Sequence, residues 1–144
     1  MARGIQVTFD AHDPAAVGKF WGEVLGYVEQ PPPDGHATWQ SFLASIGVPE
    51  EEWDTAYAVV DPDGAGPRLY FQKVPEEKSV KNRVHLDVDV TGGRSTPIET
   101  RRERVDAAAT AAAALGGRKL RSVEEDGGYF TVMADPEGNE FCLH

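Results

Sequence analysis

The stretch DPEGNEFCLH, residues 135–144, closes the chain and decides the fold. Asp135 and Pro136 followed by Gly138 are typical of a tight turn, because proline presets its own φ and glycine reaches positive φ without strain. The residues after the turn alternate between apolar and polar, as in a strand with one buried face. The polar face of this closing strand carries three chemically active side chains: Glu140, Cys142 and His144. The stretch therefore predicts the turn and the second strand of a hairpin.

A second hairpin with the same plan lies in the first half of the chain. The stretch AVVDPDGAGPRLYFQ, residues 58–72, has a strand, an Asp-Pro-Asp-Gly turn and a closing strand, with two extra residues after the turn. When these residues are allowed for, the two closing strands align position by position. The first-half counterparts of Glu140, Cys142 and His144 are, in order, Arg68, Tyr70 and Gln72.

The stretches IQVTFD and VHLDVD open the two halves and also match. They begin at Ile5 and Val84, 79 residues apart, and both alternate apolar with polar residues. Such alternation predicts a strand with one face on a core, here the face of Ile5 and Val84. Gln6 and His85 then occupy equivalent places on the polar face. An internal repeat of two halves therefore organises the chain.

Each opening strand leads to a helix that stops at Leu-Gly. The first helix has Asp13 as its N-cap and Pro14 at the first helical position. The second begins near TPIETRRE, where Thr100 and Glu103 fit a capping box, and it ends where Gly116 is available for the C-cap. Each half therefore has the order strand, helix, strands, and the fold class is α+β.

Only the first half has a large insertion, residues 31–54. Glu50 to Glu52 follow Pro49 as in a short helix. Another helix is indicated by apolar residues at helical spacing: Trp39, Phe42, Leu43 and Ile46. Two interpretations stay open. The insertion is either a surface helix that closes one edge of the sheet, or a lid that lends Trp39 or Trp53 to a ligand.

Composition excludes several classes of protein. At 144 residues the chain fits one domain with a real core. Its 24 acidic and 14 basic residues give a net charge of -10, which disfavours nucleic acid as a partner. No stretch has the length of a signal peptide or a membrane span, so we expect a soluble cytoplasmic protein with no membrane partner. A single cysteine excludes an intrachain disulfide.

The ordered set of FWGEVLGY, KNRVHLDV and DPEGN in this repeat resembles the vicinal oxygen chelate superfamily, and more narrowly its glyoxalase-like branch. The resemblance implies two tandem βαβββ modules that form a cup-shaped mixed β-sheet with flanking helices. It implies a single glyoxalase-like domain over residues 1–144, with module one at about 1–76 and module two at about 82–144. It also implies a small-molecule site inside the cup and pairing into a homodimer.

The resemblance also implies where a divalent metal would bind. In many members each module supplies one ligand from its first strand and one from its last, and the last-strand glutamate comes seven residues after the turn aspartate. In this chain those positions hold Gln6, Tyr70, His85 and Cys142. This is a poor set for a hard divalent ion, so we expect no cofactor. A local shift in register offers another set, and a bound metal would then use Gln6, His85 and Glu140, with Gln72 in place of Tyr70.

The absence of a glutamate at position 142 disfavours glyoxalase I chemistry, because no residue stands in the usual place of the base. Dioxygenase chemistry is less favoured still, since it needs two histidines and only His85 matches a ligand position. An enzyme of this branch would therefore be a lyase or isomerase, with His85, Asp87 and Glu140 as its acid-base residues. A ligand-sequestering protein of the bleomycin-resistance type and a purely structural homodimer are the alternatives.

Strand parity predicts that Tyr57, Tyr70 and Tyr129 project onto or near one inner face and line an aromatic pocket. Cys142 has two interpretations: a small, inert hydrophobe, which we favour, or a nucleophile with His85 as its base. The residues expected to contact a small organic ligand are Gln6, Thr8, Trp39, Tyr57, Tyr70, Gln72, Tyr129 and Cys142.

Overall fold

Each half of the chain forms its own four-stranded sheet. The computed structural model describes residues 1–144, which divide into the units Met1–Glu77 and Lys78–His144. The first unit contains β1 (Val7–Ala11), α1 (Pro14–Leu25), β2 (Val28–Glu29), α2 (Trp39–Ser45), a 3-10 helix (Glu50–Glu52), β3 (Ala56–Val60) and β4 (Leu69–Lys73). The second contains β5 (Leu86–Val88), α3 (Ile98–Ala114), β6 (Arg118–Glu125), β7 (Gly128–Ala134) and β8 (Glu140–Leu143).

The two sheets have the same topology. Their strand orders are β1-β4-β3-β2 and β5-β8-β7-β6. In each sheet the first strand of the unit pairs in parallel with the last, and the other pairings are antiparallel. The α+β class and the two βαβββ modules predicted from the sequence are therefore confirmed.

The register of the parallel pairs shows that the repeat is exact. Thr8 of β1 lies opposite Tyr70 of β4, and Asp87 of β5 lies opposite Cys142 of β8. Cys142 in the second unit therefore stands where Tyr70 stands in the first, as the aligned hairpins predicted.

One face of each sheet packs against its long helix. In the first unit, α1 buries Val17, Phe20 and Trp21 against the sheet. In the second unit, α3 presents smaller side chains, and its buried positions are Val105, Ala109 and Ala112. The strands bury their alternate apolar residues on the same side, among them Leu69, Phe71, Met133, Phe141 and Leu143. The opposite side of each sheet is therefore left for polar residues.

The helix ends agree with the sequence at three of four points. Asp13 caps α1 by accepting from the Ala16 amide at 3.0 Å, and Pro14 occupies the first position. Gly116 follows α3 with a φ of 104°, and the next amide donates to Ala112. Such a bond across a left-handed glycine is a Schellman closure.

No helix of the chain combines the length and the apolar character that a membrane crossing needs.

The predicted capping box at the start of α3 is wrong. The helix already begins at Ile98, so Thr100 and Glu103 lie inside it, and Pro97 at the N-cap makes no side-chain cap. The proline explains the earlier start, because its φ of -53° leads directly into a helix.

The prediction that Ile5 and Val84 face the core is also wrong. They are 75% and 79% exposed. Both precede the first paired residue of their strands, Val7 and Leu86, so the alternating pattern begins before the sheet and its covering helix do.

The insertion between β2 and β3 forms α2 and the 3-10 helix, as the sequence predicted. The Trp39 indole donates to the carbonyl of Gln30 at 2.7 Å, directly after the edge strand β2. The Trp53 indole donates to the carbonyl of Val48 at 3.0 Å. Both indole N–H groups are thus bound to backbone, which favours the surface-helix interpretation over the lid.

Candidate functional site

A cluster of three side chains lies on the polar side of the second sheet. His85 directly precedes β5, Asp87 lies within it, and Cys142 faces Asp87 from β8. One ligating atom from each residue lies within 4.8 Å of the others. Strand alternation explains the arrangement, because residues two apart share a face and the parallel register brings Cys142 beside them. We call these residues the His-Asp-Cys cluster.

Asp87 connects the other two members of the cluster. Its Oδ1 lies 3.3 Å from Nε2 of His85, where it orients the imidazole. Burial of Cys142, together with the charge and hydrogen bond of Asp87, raises the pKa of the thiol. A thiol in this setting stays protonated near neutral pH, which agrees with the inert interpretation of Cys142.

A cavity of about 430 Å³ opens beside the cluster. This volume lies within the range of about 300–1,000 Å³ that is usual for small-molecule sites. The residues that line it all belong to the second unit: His85, Asp87, Asp89, Thr91, Gly93, Arg94, Arg101, Gly128, Tyr129, Phe130, Cys142 and His144.

The loop after β5 forms one wall of the cavity. The Asp89 carboxylate accepts from the amide and the hydroxyl of Thr91, both at 2.8 Å, and from the amide of Gly92 at 3.2 Å. These hydrogen bonds, led by that of the Thr91 hydroxyl, lower the pKa of Asp89. Gly92 and Gly93 have φ values of 81° and 96°, a conformation that glycine adopts without strain. The loop is therefore fixed by its own residues.

Sequence reasoning missed several residues of the cavity, among them two arginines, Arg94 and Arg101. Neither belongs to a strand of the repeat: Arg94 lies in the loop before α3, and Arg101 lies in the first turn of that helix. The available signal was the GGR segment at residues 92–94, which follows β5 and approaches the end of the sheet where β8 finishes.

Glu140 does not join the His-Asp-Cys cluster. Its carboxylate forms an ion pair with Lys81, and its amide donates to Oδ1 of Asn82 at 3.1 Å. The hydrogen bond from Lys81 lowers the pKa of Glu140. A carboxylate held in this way is a weak base. The residue of β8 that lies beside His85 is Cys142, and not Glu140.

The polar side of the first sheet carries a different network. Arg68 donates from Nη1 to Gln6 at 2.8 Å and from Nε to Gln30 at 2.6 Å, and its guanidinium lies 5.0 Å from the ring centre of Tyr70. Gln6 also donates to the hydroxyl of Thr8 at 3.3 Å. Amides, a hydroxyl and a guanidinium are poor metal ligands, and this network lacks the imidazole and the thiol that the second unit has.

Gln72 completes this face. Its amide donates to Oδ1 of Asp10 at 2.6 Å, across the parallel pair of β1 and β4. The ligand-contacting roles predicted for Gln6, Thr8, Tyr70 and Gln72 stay predictions.

The prediction that three tyrosines share one inner face is wrong. Tyr57 lies opposite Phe71 in the register, on the helix-covered side, where it donates to Glu29 at 3.1 Å. Burial, then the Glu29 charge, raises its pKa to about 12. The Tyr129 hydroxyl donates to Asp106 of α3 at 2.7 Å, and Tyr129 also borders the cavity. Of the three tyrosines, only Tyr70, opposite Thr8, lies on the polar side of its sheet.

The chemistry of the His-Asp-Cys cluster limits which metal it fits. It offers one imidazole nitrogen, one carboxylate oxygen and one sulfur. Such a mixed set suits zinc, whereas magnesium and manganese favour oxygen donors. The predicted set of Gln6, His85 and Glu140 takes residues from both units and stays a prediction; within its own unit Gln6 is bound to Arg68 and Glu140 to Lys81.

A family model described as the glyoxalase-like domain matches residues 6–144. The chain belongs to the glyoxalase-like domain family. The sequence resemblance to the vicinal oxygen chelate superfamily is thereby confirmed, and the match spans both βαβββ modules. No curated protein sequence matches the chain significantly.

Solved structures show the same fold at low sequence identity. A glyoxalase/bleomycin resistance protein/dioxygenase family enzyme from Burkholderia phytofirmans is 20% identical, with a TM-score of 0.61 over 96% of this chain and 94% of that one. A glyoxalase-related enzyme from Fulvimarina pelagi is 17% identical, with a TM-score of 0.64 over 99% and 87%.

A third similar structure is a mutant of the fosfomycin resistance protein FosX from Listeria monocytogenes, complexed with Mn(II) and 1S,2S-dihydroxypropylphosphonic acid. It is 14% identical, with a TM-score of 0.64 over 100% of this chain and 90% of that one. At such identities the likeness shows the fold alone, so the chemistry of this glyoxalase-like protein has to be argued from its own residues.

Proposed function

We propose that this glyoxalase-like protein binds a small organic molecule in the cavity of its second unit and needs no divalent metal to do so. The observation that carries the proposal is the cavity of about 430 Å³ with the His-Asp-Cys cluster in its wall. Cavities of this size with a few convergent polar groups are the usual form of a small-molecule site. The FosX structure with Mn(II) and a small phosphonic acid supports the ligand-binding part of the proposal, because it shows a protein of this fold holding a small organic ligand.

The groups around the cavity suit recognition better than glyoxalase-type turnover. His85, oriented by Asp87 at 3.3 Å, offers the ligand a hydrogen-bonding imidazole. Phe130 supplies apolar surface. The residue in the usual place of the base is Cys142, whose thiol has a raised pKa because of burial and the neighbouring Asp87. The cavity therefore has the polar and apolar groups that ligand binding needs, whereas it has no strong base for turnover.

Substitution at Cys142 tests the site. Cys142→Leu adds bulk to the cavity wall, whereas Cys142→Ser keeps the volume and removes the sulfur. We expect compounds from a thermal-shift screen to stabilise the wild type by several degrees at about 100 times Kd. Cys142→Ser should keep this response and Cys142→Leu should lose it. Equal stabilisation of Cys142→Leu and the wild type by every compound would place binding elsewhere and overturn the proposal.

A second candidate is a zinc-dependent protein, favoured by the three donor atoms within 4.8 Å of one another. His85, Asp87 and Cys142 would hold the ion, which when bound supplies a Lewis acid at the cavity wall. The thiol would have to lose its proton on binding, against the effect of Asp87 on its pKa.

Metal analysis separates the two candidates. Protein purified without a chelator is analysed for zinc as the wild type, as His85→Ala and as the control His36→Ala, whose histidine lies in the insertion. Metal-free binding predicts a substoichiometric zinc content in all three proteins. About one zinc per chain in the wild type and His36→Ala, lost in His85→Ala, would establish the zinc site instead.

A further inference from the structure

Two arginines in the cavity wall have no acidic partner. The ion pairs of the chain involve Lys73, Lys81, His85 and Arg102, and neither Arg94 nor Arg101 takes part in one. An arginine remains charged at any physiological pH, so each brings to the cavity wall a positive charge that no carboxylate of the chain pairs with directly. Arg102, the neighbour of Arg101, differs in pairing with Glu124 on the outside of the unit.

Arg101 also has an unused hydrogen-bond donor. Its Nε is buried and has no acceptor within the chain, while one of its terminal nitrogens donates weakly to the carbonyl of Gly127 at 3.3 Å. A buried donor without an acceptor costs on the order of 1–3 kcal/mol. The residue also borders the cavity, so a ligand there would lie beside an arginine whose donors the chain does not use in full.

The two aspartates of the cavity do not supply that acceptor. Asp89 accepts three hydrogen bonds from Thr91 and Gly92. Asp87 is engaged with His85 and lies beside the Cys142 thiol. Both carboxylates are therefore hydrogen-bonded by their own neighbours, whereas the two arginines have no carboxylate partner within the chain.

From this asymmetry we infer that the ligand is a small organic acid whose carboxylate binds to Arg94 and Arg101, with its organic body extending toward Phe130 and Cys142. The inference rests on the proposed function, because it assumes that the cavity is the binding site. A carboxylate matches the planar donors of a guanidinium, and its negative charge would pair with the two arginines, which form no ion pair within the chain.

Matched pairs of acids and amides test the inference. The panel begins with 3-phenylpropionate and 3-phenylpropionamide, which have nearly the same shape and differ in charge. Binding is followed by backbone amide chemical shifts, with Gly93, Gly128 and Cys142 as reporters for the cavity. We expect the acids to shift these reporters and the amides to do so at least about tenfold more weakly.

Three variants complete the experiment. Arg94→Gln and Arg101→Gln should each weaken acid binding at least about tenfold. Arg118→Gln, which makes the same change at an exposed site on β6 outside the cavity, should leave it unchanged. Amides that bind in the cavity as tightly as acids would overturn the inference and leave the proposed function standing. No shift of the cavity reporters with any member of the panel would contradict both.

Discussion

Cys142 occupies the position at which the resemblance to the vicinal oxygen chelate superfamily implies a glutamate, and its surroundings favour the protonated thiol. Burial is the main cause of the raised pKa, and the charge and hydrogen bond of Asp87 add to it. A raised pKa means that the neutral thiol is the form that the folded protein prefers. The reactivity of this thiol should therefore be low at neutral pH and rise only above the ordinary cysteine pKa of about 8.5.

Alkylation of Cys142 measures this directly. The rate of reaction with iodoacetamide as a function of pH should have its midpoint above 8.5 in the native wild type, since only the thiolate reacts. Asp87→Asn removes the negative charge that disfavours the thiolate, so the midpoint should move down and the rate near pH 8 should rise. The unfolded proteins should react alike. A higher midpoint in Asp87→Asn than in the wild type would show that Asp87 does not act on the thiol as described.

Helix α1 packs closely against its sheet because two of its residues are glycines. A Cβ at Gly18 would lie 2.2 Å from Cδ1 of Tyr57, and no real Cβ contact is so short. A Cβ at Gly22 would meet its nearest neighbours at 3.5 Å, an ordinary contact. The two positions lie one turn apart on the same helix, so they differ in packing and not in helix propensity.

Substitution of these glycines by alanine should therefore have opposite effects. Gly18→Ala should lower the free energy of unfolding by about 1–3 kcal/mol through overpacking against Tyr57. Gly22→Ala should leave it unchanged or raise it by up to about 1 kcal/mol, because alanine is the better helix former. Urea unfolding followed by circular dichroism measures both. Equal destabilisation by the two substitutions would contradict the packing of α1 described above.

Most elements could be predicted from the sequence, and the exceptions have a physical cause. The hairpins and the N-cap at Asp13 depend on local turn and capping chemistry, which a short segment contains. The faces of Tyr57 and Tyr129 depend on the register of strand pairing, because a strand shifted by one residue turns every side chain to the other face. Tertiary contacts decide such shifts, and a single sequence does not contain them.

At the scale of the whole molecule, two units with one topology carry different polar faces. The first has Arg68 held by Gln6 and Gln30, and the second has the His-Asp-Cys cluster beside a cavity. The repeat predicted the equivalent positions, including Cys142 as the counterpart of Tyr70. It did not predict Arg94 and Arg101, because residues outside the repeated strands have no counterpart to align with.

The measurement that tests the account most directly is a crystal structure of the protein with the strongest-binding compound from the thermal-shift screen. We expect electron density for the compound in the second-unit cavity, within contact distance of Cys142 and of Arg94 or Arg101. A compound bound with full occupancy at a site that touches none of these residues would contradict it.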